Sequence, residues 1–230
     1  MTTNAEKPED REFNFPVTAR SKIRRQPQFG SYSHEDVYRV LDASPLCHIG
    51  YLVNGAPFVT PTLHWRRDNK VYWHGSVGSR FLRQVEGTAV CMTCTLMDGY
   101  VLARSAYSHA INYRSAMVFG TARVLVGLEE KAEALRNLTN GLFPGRWETL
   151  RALEENELKA TSVLWMEIEE ATVKSRSGPP ADIDESDVPV WAGVIPMNSA
   201  LDAPQPAPEL PKAIGLPDSL ASLVASGRLR

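Results

Sequence analysis

Between Lys70 and Gln84 the chain reads KVYWHGSVGSRFLRQ. An alternating apolar stretch ends at His74, and Gly75-Ser76 and Gly78-Ser79-Arg80 then lead into a short amphipathic segment. A phosphate suits such a corner, because glycines let backbone amides approach an anion and an arginine at a helix start adds charge-assisted hydrogen bonds. The plainer alternative is a turn followed by a serine cap. Three of the five histidines, His48, His64 and His74, fall in segments that alternate like strands, so a barrel can gather them at its rim, into a metal site or onto a haem iron. The HxH spacing usual for metals in small barrels does not occur.

Cys91-Met92-Thr93-Cys94 is a CxxC, but its flanks TAVCMTCTLMD are β-branched and apolar. Residues three apart in a strand point to opposite faces, so the two thiols read as structural rather than as a metal or redox pair. The sequence holds no GxSxG, P-loop, GxGxxG or HExxH pattern. Hydrolase and nucleotide-triphosphatase chemistries lose their usual signatures with them.

The elements that must position these residues are mostly strands. LCHIGYLV runs into Asn54-Gly55, a strong hairpin signal, and PFVTPTLHW follows. RRDN turns the chain into KVYWHGS, TAVCMTCTLM and YVLARSAY read as a pair around Asp98-Gly99, and RSAMVFGTARVLV adds another strand. SVLWMEIEEATVKS is expected to be the last. Ser33, followed by Glu35 and Asp36, caps a first helix carrying Val37, Val40 and Leu41 until Ser44-Pro45. Ala132, Leu135, Leu138 and Leu142 form the stripe of a covering helix, and a short helix is expected over 153–160. The expectation is a mainly β chain: a six-stranded antiparallel split β-barrel over residues 29–176, with few helices. A basic arm precedes it over residues 1–28, and a proline-rich extension over residues 177–230 is expected to dock through Trp191.

With 25 Lys and Arg against 27 Asp and Glu in 230 residues, no net field favours nucleic acid or an anionic membrane. No apolar run is long enough to span a bilayer, and MTTNAEKPEDREF is unlike a signal peptide. Three cysteines make no disulfide framework, and a cytoplasmic protein is the expectation.

INYRSAMVFGTARVL, YWHGSVGSR and the late PVWAG resemble the FMN-binding split-barrel proteins related to pyridoxamine-phosphate oxidase, in the branch that includes the nitroimidazole-resistance (Nim-type) proteins. YRSxMVFGTARVL is the most specific piece, and the resemblance spans roughly residues 20–175. It implies a homodimer with one FMN in each of two clefts between protomers. Position by position, it sets Thr60, Pro61, Thr62, Leu63 and His64 beside the flavin ring and ribityl chain. His74, Gly75, Ser79 and Arg80 fall where the phosphate is held, Tyr113, Arg114 and Ser115 on the facing strand, and Trp191 near the cofactor. The lysine that follows the phosphate-binding arginine in the oxidases is Phe81 here, and the basic aromatic end that grips pyridoxal phosphate is absent, which argues against vitamin B6 oxidation. The implied activity is an FMN-dependent oxidoreductase passing electrons from a reductant such as NAD(P)H to a nitroaromatic or quinone-like acceptor, with His74 as the candidate catalytic residue. The alternative is a non-catalytic flavin- or haem-binding protein.

Overall fold

The structure is a computed structural model that describes residues 13–181 and 187–227. The first twelve residues of the arm, much of the acidic stretch after Pro180 and the last three residues lie outside the described residues. Ten strands form one curled antiparallel sheet: β1 (Gly30–Ser31), β2 (Leu46–Val53), β3 (Ala56–Arg67), β4 (Lys70–Ser76), β5 (Ala89–Leu102), β6 (Ala110–Thr121), β7 (Arg123–Val124), β8 (Thr161–Glu167), β9 (Glu170–Arg176) and β10 (Gly193–Pro196). Their order is β1-β9-β6-β5-β2-β3-β4-β8-β7, with β10 pairing β5. The helices are α1 (His34–Ala43), α2 (Arg80–Val85), α3 (Leu128–Leu142), α4 (Glu155–Ala160) and α5 (Asp218–Ser226).

The six-strand expectation is corrected to ten, for two physical reasons. First, one alternating run can turn a corner: SVLWMEIEEATVKS, expected as one strand, is β8 on β4 and then β9 on β6, broken at Ile168-Glu169. Second, β1, β7 and β10 are only two to four residues long, too short for a period to register.

Asp98-Gly99 likewise is no hairpin turn. The chain runs straight through it as the 14-residue β5, with a register shift between Met97 and Gly99, and β10 lies alongside. A Cβ at position 99 would stand 2.7 Å from the Ile195 carbonyl oxygen, so the glycine serves a close strand approach. Asn54-Gly55 behaves as expected: both residues take positive φ and join β2 to β3.

Ser33 caps α1 by accepting from the Asp36 amide at 3.1 Å, and the helix buries Val37, Val40 and Leu41. These join the main core, with Cys47, Ile49, Met92, Cys94, Val118 and Trp73 on the inward faces of the strands. The CxxC divides as expected: Cys94 is buried inside and Cys91 half-buried outside. Burial pushes the Cys47 thiol up to about 12 and that of Cys94 upward too, which leaves both thiols protonated and inert. A second cluster, Trp65 and Val163 under Ala134, Leu138 and Leu142, seats α3 on the outer side of β3 and β8. No described helix is long and apolar enough to cross a membrane.

Candidate functional site

Strand parity decides which candidate residues share a face. Residues two apart point the same way, and cross-strand partners do too. The register therefore lays one row across five strands on the face turned away from the core: Pro61 to His48, His48 to Thr93, Thr93 to Met117, and Met117 to Thr172. A neighbouring row contains Leu63 with Leu46, and Thr95 with Ser115 and then Lys174. Tyr113 lies two residues from Ser115, and His74 continues the outward set Lys70, Tyr72, His74 on β4. Pro61, Leu63, His74, Tyr113 and Ser115 thus share the outward face of the curled sheet. At about 4.8 Å per strand, the step from β3 to β6 is roughly 14 Å, the scale of a flat extended ligand.

Thr60, Thr62 and His64 belong to the opposite parity. Thr60 meets the Tyr51 hydroxyl at 3.2 Å, and His64 is 1% exposed with its ring nitrogens 3.7 and 3.9 Å from the Cys94 sulfur. His64 furnishes the barrel interior while Thr60 and Thr62 are half-buried on the same inward parity, so only the backbone of β3 is left for a ligand on the outward face at these positions.

At the end of β4, Ser76 turns the chain by accepting from the Gly78 amide at 3.1 Å, and Ser79 caps α2. A Cβ on Gly75 would sit 3.0 Å from Leu82 Cδ1, so the glycine lets α2 pack closely on the end of β4. A Cβ on Gly78 would meet only the Ser76 hydroxyl, at 3.5 Å, and the corner is open to solvent. Arg80 is exposed and pairs with no acid among the described residues. Arg114 differs: its guanidinium makes a bidentate pair with Asp98 at 2.7 and 2.9 Å, which raises its pKa and holds it at the β5 irregularity.

His74 is half-buried, edge-on to Trp65 at 5.9 Å between ring centroids. Its Nδ1 is buried without a hydrogen-bond partner, and desolvation lowers its pKa. The ring is therefore neutral at pH 7, with a nitrogen able to take a new partner.

Trp191 is 63% exposed, and its indole lies against Gly193, where a Cβ would be 2.9 Å from the ring. The extension is held to the barrel by β10 on β5 and by the Met197 amide donating to the Asp98 carbonyl at 3.0 Å.

Two of the clefts bear on the candidate residues and the covering helix. One, of about 670 Å³, lies between α3 and the sheet, walled by Trp65, Tyr72 and Trp165 and rimmed by Glu129, Glu130 and Glu133. Arg67, paired with Glu133 at 3.7 Å, and Lys70 line it as well, and no candidate residue does. The other, of about 440 Å³, opens on the outward face between β5, β6, β9 and arm residues Arg20–Ile23, and Ser115 is in its floor. Sequence reasoning missed Thr93, Thr172 and Lys174 as neighbours of Ser115. Their signal was alternation alone, which assigns a face but no neighbour until the register is known.

A family model described as pyridoxamine 5'-phosphate oxidase matches residues 33–175. Among solved structures, the flavocytochrome Anf3 from Azotobacter vinelandii is 41% identical, with a TM-score of 0.86 over 93% of this chain and 98% of its own. The FAD and heme binding protein from Mycobacterium smegmatis is 34% identical, with a TM-score of 0.83 over 88% of this chain and 99% of its own. A candidate 5-nitroimidazole antibiotic resistance protein from Bacteroides thetaiotaomicron shares the fold, at 19% identity and a TM-score of 0.53 over 63% of this chain and 85% of its own. No curated protein sequence matches. The curled antiparallel sheet, the family match over more than half its length and two relatives alike from end to end agree: the chain belongs to the pyridoxamine 5'-phosphate oxidase family.

Proposed function

We propose that the chain binds a flavin nucleotide on the outward sheet face and acts as an oxidoreductase, passing electrons from a reductant such as NAD(P)H to a small nitroaromatic or quinone-like acceptor. The observation that carries the reading is end-to-end similarity to a flavocytochrome at 41% identity, in a chain whose own outward face collects Pro61, Leu63, His74, Tyr113 and Ser115. When bound, the flavin would supply the redox chemistry. The chain supplies position: the β3 backbone and Leu63 as an apolar floor, Ser115 as a hydroxyl and Arg80 as the unpaired cation beside the open Gly78 corner. His74 offers a neutral ring nitrogen, suited to a hydrogen bond with cofactor or acceptor.

FMN is the nucleotide implied by the family resemblance, whereas the relative from Mycobacterium smegmatis favours FAD. The face also exposes Leu46, Leu52, Val59 and Leu63 at 42 to 67%. Such a patch suits a homodimer with the cofactor between protomers.

A second reading adds haem. Two relatives are a flavocytochrome and an FAD and heme binding protein, and a neutral imidazole at His74 keeps one unprotonated ring nitrogen, the lone pair that an axial iron ligand needs. The absorption spectrum of purified full-length protein tests both readings. Flavin bands support the first, an added Soret band the second, and a colourless protein that takes up neither cofactor refutes them. Reduced flavin that passes electrons to no acceptor would leave a binding role alone.

A further inference from the structure

The cleft of about 440 Å³ has a chemistry of its own. Its floor carries four hydroxyls, Thr93 and Thr95 from β5, Ser115 from β6 and Thr172 from β9, and its wall carries Lys22 and Lys174. No carboxylate lines it. Arg20 also reaches the cleft, but Glu170 compensates its charge at 2.6 Å while its guanidinium lies 4.4 Å over the Phe119 ring. Lys174 Nζ donates at 3.1 Å only to a neutral group, the Arg25 carbonyl, and Lys22 forms no ion pair among the described residues, so two positive charges stay uncompensated. Thr172 Oγ1 is buried and has no hydrogen-bond partner. Leaving a buried hydroxyl unmet costs free energy, and a ligand oxygen would remove that cost. Hydroxyl donors and two cations, with no acid, match a phosphate and mismatch a cationic or apolar ligand.

We propose that this cleft binds the phosphate groups of a nucleotide, with Thr172 Oγ1 donating to a phosphate oxygen and Lys22 and Lys174 neutralising the charge, while Ser115, whose hydroxyl donates to the Lys174 carbonyl at 3.1 Å, fixes the floor beside them. The proposal rests on the flavin reading only for one possible source of that phosphate, the adenine half of a bound dinucleotide; a separate nucleotide is the other source. It also assigns a role to the arm: residues 20–23 close the cleft, a contribution that the barrel strands cannot make.

The test is calorimetric titration of full-length protein, as purified and after flavin removal, with ADP, inorganic pyrophosphate, FMN and FAD, for wild type, Thr172→Val and Lys174→Gln. Thr172→Val keeps the side-chain shape and removes an unsatisfied group, so its melting temperature should equal or exceed that of wild type. Its affinity for ADP or FAD should fall about tenfold or more, the loss of one hydrogen bond to a charged group. Lys174→Gln should weaken the same ligands and flatten their salt dependence. A loss for FAD but not FMN makes the flavin's own diphosphate the source; Thr172-dependent ADP binding to flavin-loaded protein makes it a separate nucleotide. Equal affinities within about twofold for every phosphate ligand across the three proteins would overturn the proposal. The two readings fail separately: Thr172-dependent ADP binding by a chain that never takes up flavin leaves the cleft standing alone, and tightly held flavin together with ADP and pyrophosphate binding indifferent to both variants removes the cleft alone.

Discussion

Two glycines give a prediction in which the same added methyl has opposite consequences. In Gly99→Ala, the new Cβ meets the Ile195 carbonyl oxygen at 2.7 Å and Pro196 Cα at 3.1 Å, against the 3.4 Å or more of an ordinary contact, so β10 must move by roughly 0.7 Å or leave. Leaving is cheap. The four paired residues of β10 contribute hydrogen bonds of about 0.5–1.5 kcal/mol each, and ordering those residues costs about 1–2 kcal/mol each. The two nearly cancel, so detachment costs the barrel less than about 2 kcal/mol. In Gly120→Ala the Cβ runs into the Glu167 carbonyl oxygen, with Met166 Sδ at 3.3 Å, where β8 turns toward β9 inside the core. Neither neighbour can depart, because β8 is paired over its whole length with β4. The cost is at the upper end of overpacking, about 3 kcal/mol or more, which for a chain of this size lowers Tm by roughly 6–12 °C. Thermal melts with limited proteolysis read both effects. Gly99→Ala should keep a near-native melt while the chain after Ser177 becomes rapidly cleaved, and Gly120→Ala should melt early without selective cleavage. A protected extension in Gly99→Ala, or a wild-type melt in Gly120→Ala, would refute the packing argument.

Further predictions concern the site. Arg80→Met should raise the dissociation constant for flavin about tenfold or more, while Arg114→Met should change it less than about threefold because Asp98 already holds that guanidinium; flavin fluorescence titration compares them. His74→Phe should retain flavin yet remove any Soret absorption, and a haem band that survives would exclude His74 as the iron ligand. Burial lowers the pKa of His74 and of His34 below the ordinary 6.5, so the unfolded chain binds more protons; stability is complete above about pH 6.5 and declines as pH falls through the folded values. Urea midpoints at pH 7.5 and pH 5.5 should differ less in His74→Phe than in wild type, and an equal difference would place the pH dependence elsewhere. Leu52→Lys with Val59→Lys should shift a dimer to monomer in sedimentation, raising its dissociation constant about a hundredfold or more, since both sites are over 60% exposed in the single chain.

The long strands, α1 and α3 were legible because burial on one side imposes a period on the sequence. Cys91 and Cys94 fell on opposite faces for that reason, and Ser33 capped α1 as its spacing required. What pattern could not supply was register and closure. Asp98-Gly99 looks like a turn from local chemistry, yet its glycine answers to β10, nearly a hundred residues later. Thr60 to His64 matched the family's flavin strand as a block, but only alternate side chains of a strand face one way, so Pro61 and Leu63 look outward while Thr60, Thr62 and His64 look in. The cleft at Ser115 draws on the arm and three strands, a combination that no single segment encodes.

The most direct test is a crystal structure of the coloured, full-length protein. The account predicts flavin density against the outward faces of β3, β5 and β6, within reach of Pro61, His74 and Ser115. Density inside the barrel beside His64 and Cys94, or in the acid-rimmed groove of Trp65, Tyr72 and Trp165, would contradict it.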